Sequence, residues 1–270
     1  MDLHLPTTGL DRYKSASQRA RVGTESWGAT NFFCPSCESP KLDLAPGNTA
    51  ALDYLCPRCS QPFQLKSQSK PFGVKILDSA YSEMKRAIVE DRTPNLYVLH
   101  YDLAAWAVRT VILVPHFAFA LSAVERRPPL APTARRAGWV GCNILLNKIP
   151  RDARIPIVES GKVRPASEVR RAYHRLRPLE QLKAEKRGWT LDVLNLLHSL
   201  NKTEFSLSDV YAHTDELAKL HPSNAHVQPK IRQQLQVLRD LGLVKFLGGG
   251  SYRLDTGQQL DQSRKIGRND

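Results

Sequence analysis

No stretch of this sequence approaches the ~20 consecutive apolar residues needed to span a bilayer, and residues 1–20 are polar, without the apolar core of an export signal. A soluble, cytoplasmic protein with no membrane partner is therefore expected. There is no G-x-x-x-x-G-K-[ST] loop to cradle phosphates, which argues against a nucleotide cofactor and against ATP-driven translocation. No internal repeat is visible. Acidic residues are in short supply: 26 Asp and Glu face 39 Lys and Arg over 270 residues, a net charge of +13 with a pI near 9.7. Unpaired charge is costly to bury, so the excess must face solvent, where a polyanion is its natural partner. Cysteine is scarce as well, and four of the five fall in two pairs of identical spacing.

The length favours two domains. Residues 8–27 carry mostly good helix formers, with Gly28 as the expected stop. Short strands follow at NTAALDYLC (48–56), QPFQLKS (61–67), NLYVLHYD (95–102) and WAVRTVILVP (106–115), interrupted by a predicted helix over DSAYSEMKRAIVED (78–91). The stretch 125–138, ERRPPLAPTARRAG, is basic, proline-rich and without apolar period, hence a loop. Strand-like WVGCNILL and RIPIVE come next, then a polar helix that Pro178 should break. These features place a first domain over residues 1–185.

The pattern then changes to helix, helix, helix, hairpin over residues 186–256, a winged-helix layout. Its first helix is expected to start around Trp189 and its second to run from a Ser206 cap to about Leu220. In the third, about Gln228 to Leu241, Ile231, Leu235 and Leu238 recur at core spacing and leave Gln228, Lys230, Arg232, Gln233, Gln236 and Arg239 outward. Those glutamines and basic residues are types that read base edges from a helix in the major groove, although a merely solvated face has a similar composition. Gly248–Gly250 suit a hairpin turn that needs positive φ. Residues 257–270 are polar and expected to be disordered.

Cys34-Pro-Ser-Cys37 and Cys56-Pro-Arg-Cys59 have the spacing of a four-thiolate zinc site. Two disulfides are the alternative, which a reducing compartment disfavours. With all four positions filled by protein, the zinc would be structural, with no open place for a reacting water. Cys142 lies in an apolar strand and reads as core. The histidines, among them His100, His116 and His174, are scattered and outline no second metal site.

Asp53 ends one predicted strand and Gln64-Leu65-Lys66 lies on the next, with the Cys56/Cys59 knuckle between them. Strand alternation puts Gln64 and Lys66 on one face and turns Leu65 toward the core. This arrangement resembles the PD-(D/E)xK nuclease superfamily in its QxK form. Such chemistry asks for oxygen ligands to a divalent ion such as magnesium and for a cation near the scissile phosphate. Asp53, Gln64 and Leu65 are the candidate magnesium positions and Lys66 the cation. Gln64 is neutral where most of the superfamily has a carboxylate, so Glu25, on the N-terminal helix, is the candidate helper acid. Leu52 stands where the superfamily's proline would precede the aspartate.

Over residues 1–254 the chain is similar to the DpnI-like, adenine-methylation-dependent restriction endonucleases. The resemblance is carried by ALDYLCPRCSQPFQLKS, RRPPLAPTARRAGWVGCNI, RGWTLDVLNLLHSL and KIRQQLQVLRDLGLVKF. It implies a type II enzyme, here expected to act as a monomer, that cuts double-stranded DNA at GATC when the adenine carries an N6-methyl group. It also implies an α+β fold: a mixed sheet flanked by helices, with an inserted zinc site and a C-terminal winged helix. By motif, Asp53 and Lys66 match the active site, the four cysteines match the zinc ligands, and Trp139 matches the methyl-reading loop. Gln64 departs from the family's glutamate.

An N6-methyl adds apolar surface in the major groove, so its reader needs an apolar wall beside hydrogen-bonding groups. Trp139 fits as that wall, with Arg126, Arg127, Arg135 and Arg136 available for guanine edges or phosphates. A core tryptophan is the plainer alternative. The main rival to cleavage is a methylation-sensitive DNA-binding regulator in which Gln64 marks a decayed site. A nuclease of the same superfamily with another target is the second rival.

Overall fold

The computed structural model describes residues 1–46 and 52–255. The first part of the chain runs α1 (Ala16–Asn31), β1 (Asp43–Leu44), β2 (Tyr54–Leu55), β3 (Pro62–Gln68), β4 (Lys75–Ala80), α2 (Tyr81–Val89), β5 (Asn95–Asp102), β6 (Ala107–Val114), β7 (Val124–Arg126), β8 (Gly141–Leu145), β9 (Ile155–Glu159), β10 (Lys162–Val163) and α3 (Ala166–Leu176). Seven strands form one sheet in the order β1-β2-β3-β5-β6-β9-β10. Only β3 and β5 in it are parallel. Parallel neighbours need a long crossover, and β4 with α2 supplies it. Leu96, Tyr97, Val98 and Leu99 of β5 are all fully buried, so both faces of the sheet are covered at its centre. A second sheet, β4-β8-β7, is antiparallel and lies beside the first.

The second part comprises α4 (Ala184–Ser199), β11 (Glu204–Ser206), α5 (Leu207–Tyr211), α6 (Thr214–Leu220), α7 (Val227–Asp240), β12 (Val244–Gly248) and β13 (Ser251–Leu254). Its three strands pair antiparallel in the order β11-β13-β12. Gly248, Gly249 and Gly250 carry φ of +95°, +56° and +76° at the hairpin tip, where a side chain would be strained. The architecture is thus the expected α+β one, a helix-flanked mixed sheet carrying a four-cysteine cluster and followed by a helical domain with a β wing.

Several elements depart from their sequence reading. Helix α1 starts late, because Ser15 caps it by accepting the Gln18 N–H at 3.2 Å. It also runs through Gly28, which serves close packing: a Cβ there would lie 2.3 Å from Tyr54 Oη and 2.7 Å from Phe32 Cε2. The helix expected over 78–91 begins at Tyr81, and Asp78–Ala80 belong to β4. The helix expected from Ser206 to Leu220 is two, α5 and α6, parted where the Thr214 hydroxyl donates to the Tyr211 carbonyl at 2.7 Å. Trp189 does not open its helix but lies buried inside α4, which starts at Ala184. Past α3, Pro178 does sit in a short 3₁₀ turn, Arg177–Gln181. The strand expected over 48–56 falls partly, and the tail 257–270 wholly, outside the described residues.

Candidate functional site

Strand β2 pairs with β3 only through Tyr54–Phe63 and Leu55–Pro62. Just past that ladder the Asp53 carboxylate takes over, Oδ2 accepting the Leu65 N–H at 2.7 Å. Asp53 is therefore held at the open edge of β3, beside Gln64 and Lys66. Helix α1 passes over the same edge, fixed there by Tyr54, whose hydroxyl donates to the Glu25 carbonyl at 2.9 Å, and by a 3.0 Å bond between the Thr24 and Ser67 hydroxyls. The result is one cavity of about 240 Å³ lined by Glu25, Asp53, Gln64, Leu65 and Lys66 together with Arg21, Thr24, Leu52 and Ser67. Every catalytic candidate of the sequence reading lines this cavity. Gln64 is 8% exposed, and Leu65 is only partly buried against the core.

Two members of this neighbourhood were not anticipated. Arg21 sits one helical turn before Glu25, its Nε donating to Oε1 at 2.7 Å, and its side chain is 76% exposed at the cavity rim. The i,i+4 spacing was visible in the sequence. Asp78 lies with Oδ1 2.6 Å from Lys66 Nζ, its side chain 2% exposed. The expectation of helix over 78–91 hid it.

Asp53, Glu25 and Gln64 line one cavity and offer it oxygens, a donor set of the hard kind that suits magnesium. Among the described residues, the one group of three or more Cys, His, Asp or Glu with ligand atoms clustered is Cys34, Cys37, Cys56 and Cys59, all within 4.8 Å of one another. Cys34 and Cys59 sulfurs lie 3.6 Å apart, and those of Cys37 and Cys56 3.5 Å apart. A tetrahedral ion at about 2.3 Å from each sulfur separates them by about 3.8 Å, so the cluster fits zinc and forms no disulfide. Burial works against ionising Cys56, yet the amides of Cys59 and Arg58 and the neighbouring thiols bring it down to about 7. Arg170 of α3 clamps the first knuckle, donating from Nε to the carbonyls of Cys34 (3.1 Å) and Cys37 (3.0 Å) and from Nη2 to that of Ser39 (3.0 Å).

The loop between β7 and β8 is ordered by its own backbone. Arg127 N donates to Gly141 O (2.9 Å), Leu130 N to Trp139 O (2.9 Å) and Gly138 N to Leu130 O (3.1 Å). Trp139 is half-buried and precedes β8. Its six-membered ring rests against Gly141, where a Cβ would lie 2.7 Å from Cη2 and Cζ3. The Arg136 guanidinium stands over the indole, 5.0 Å from its centroid. Arg126, Arg135 and Arg136 are exposed and Arg127 is half-buried. Strand β8 joins this loop to β4 and so to Asp78 and the cavity wall.

On α7, Gln228, Arg232, Gln233 and Gln236 are exposed. Lys230 is not free as expected: it is half-buried, its Nζ 5.9 Å above the Trp189 ring. Arg232 reaches back to the Tyr211 hydroxyl. Gln234, which the sequence reading passed over, is buried and bonds the Thr190 hydroxyl at 2.7 Å.

Fold and sites together define a basic protein that pairs an α/β body, holding a four-cysteine cluster and a cavity lined by two acids and two bases, with a helix-turn-helix domain. The family model of the DpnI, Dam-replacing family matches residues 1–182, and that of the Dam-replacing HTH domain matches residues 185–254. The chain belongs to the Dam-replacing family. Membership supports a methylation-dependent restriction endonuclease, and the helix-turn-helix domain implies DNA binding. No helix of the described residues is long and apolar enough to cross a membrane.

Proposed function

We propose that the protein hydrolyses both strands of double-stranded DNA at GATC sites carrying N6-methyladenine, with residues 1–185 cutting and residues 186–256 contributing to recognition. One observation carries this reading: Glu25, Asp53, Gln64, Leu65 and Lys66, separated in sequence, line a single cavity of about 240 Å³. Asp53, Gln64 and Glu25 would hold magnesium, which when bound polarises the phosphate and lowers the pKa of water. The chain's own part is placement. Asp53 lines the cavity with one carboxylate oxygen fixed by the Leu65 N–H. Lys66 presents a cation where negative charge grows as water oxygen bonds to phosphorus and the P–O bond to the leaving sugar oxygen breaks. Arg21, at the rim, is placed to meet a neighbouring phosphate.

Trp139 would supply the apolar wall for the methyl group, and the arginines around it would position on guanine edges and phosphates. Helix α7 would read the site a second time through Gln228, Gln233 and Gln236. Gln64 is the observation that favours the rival, a regulator that binds methylated DNA without cutting. Incubating the protein and magnesium with matched methylated and unmethylated GATC plasmids separates them. Cutting of the methylated plasmid alone is expected; binding without cutting would favour the regulator, and cutting of both would sink the methyl specificity.

A further inference from the structure

We propose that Asp78 is the positioning residue of Lys66, a role that rests on the cavity being the cleavage site. Strand β4 pairs with β8 through Leu77–Asn143 and then Ala80–Gly141, so Asp78 and Ser79 together oppose the single residue Cys142. Two residues against one is a β-bulge, a device that re-aims a side chain off the regular alternation. Here it turns Asp78 inward, where only 2% of its side chain is exposed, with Oδ1 2.6 Å from Lys66 Nζ. The Ser79 hydroxyl is a further polar neighbour, at a long 3.5 Å from Oδ2. Burying a carboxylate is expensive unless it is paired, so a bulge that buries one against a single lysine is explained by that lysine.

Lys66 has its other side in the cavity, 25% exposed. A lysine stem rotates freely, and an ammonium that must meet a growing charge at the phosphate loses effect when it wanders. Asp78 restricts it from behind without touching the cavity, which it does not line. A surface ion pair would do neither: this one joins a buried anchor to a group that faces the substrate.

The test compares wild type, Asp78→Asn and Asp78→Glu on a methylated GATC duplex. Single-turnover cleavage is measured with magnesium, duplex affinity with calcium in its place, and the melting temperature alongside. Asp78→Asn, nearly isosteric, should slow cleavage by about 10- to 100-fold while duplex affinity stays within about threefold, the pattern expected of a misplaced reacting group. Asp78→Glu, which returns the carboxylate, should recover most of that loss. Wild-type cleavage by Asp78→Asn overturns the proposal, as does a loss of rate matched by an equal loss of affinity that glutamate does not repair. A wild-type protein that binds but never cuts overturns the reading of the cavity itself, and this proposal with it.

Discussion

His221 stacks on Trp189, with ring centroids 3.6 Å apart and 13° between the planes, while its Nε2 lies 2.8 Å from Asp192 Oδ2. The other oxygen of Asp192 accepts from the Ser122 hydroxyl, which belongs to the first part of the chain, at 2.5 Å. Asp192 is 5% exposed. One carboxylate therefore ties α4 to the body on one side and to the end of α6 on the other. Arg187, also on α4, pairs with Asp91 after α2, and Asn195 donates to the Asn147 carbonyl at 3.2 Å. Asp192→Ala should leave two partly buried groups, the Ser122 hydroxyl and His221 Nε2, without their acceptor and cost on the order of 1–3 kcal/mol. Thermal unfolding of the full chain reads it. An unchanged melting temperature would show that Asp192 adds nothing to a junction already held by Arg187–Asp91, Asn195–Asn147 and apolar contact. It also follows that removing residues 186–270 would strip α4 from the body, so substitutions on α7 test recognition more cleanly than truncation.

Gln64 lies in the cavity beside Asp53 and Glu25, where a carboxylate would bring a third negative charge to a hard cation. Gln64→Glu should lower the magnesium concentration giving half-maximal cleavage by about tenfold or more, since a carboxylate about 4 Å from a divalent ion attracts it by about 2 kcal/mol even with the screening of bulk water. Gln64→Leu, which has no oxygen, should remove metal-dependent cleavage while keeping duplex binding. Equal magnesium titrations for glutamine and glutamate would mean that position 64 does not contribute to the metal and that Glu25 and Asp53 suffice.

What the sequence disclosed was local. Cys34, Cys37, Cys56 and Cys59 were readable because a two-residue knuckle is made by neighbours, and Gln64 and Lys66 because alternation along one strand is a local rule. Strands β5 and β6 announced themselves by the apolar runs Leu96–Leu99 and Val111–Val114. What stayed hidden depended on partners far along the chain. Asp78 reaches Lys66 only because β8, about sixty residues later, forces a bulge into β4; read alone, its segment has good helical content. Gly28 looked like a helix stop because its purpose is the approach of Tyr54. Lys230 looked free because Trp189 meets it from another helix.

Zinc and Asp53 are mechanically linked, since the Cys56/Cys59 knuckle is the turn between β2 and β3. Stripping the metal with a zinc-selective chelator should therefore abolish cleavage even in excess magnesium, and zinc should restore it. Metal analysis should find one zinc per chain. Arg170→Ala frees three knuckle carbonyls at once and should cost on the order of 2–4 kcal/mol, with faster loss of zinc to a chelator. Zinc retention unaltered in that variant would mean the thiolates alone hold the knuckle.

Trp139 is seated by an absence, the missing side chain of Gly141. A methyl at that position would sit 2.7 Å from two atoms of the indole, far inside contact distance, and 3.3 Å from Arg127 Nη1. Neither β8 nor the ordered loop leaves the ring an easy retreat, because Leu130 N holds the Trp139 carbonyl and Arg136 O holds its N–H. Gly141→Ala should therefore displace the indole and reduce the preference for methylated over unmethylated GATC by about tenfold, the worth of one apolar contact of this size. Affinity for the unmethylated duplex should hardly change. Trp139→Ala should erase the same preference, and in that background Gly141→Ala should have no further effect, since both act through one ring. Equilibrium titration of paired duplexes decides the matter: additive losses in the double variant would place methyl recognition elsewhere than on the indole.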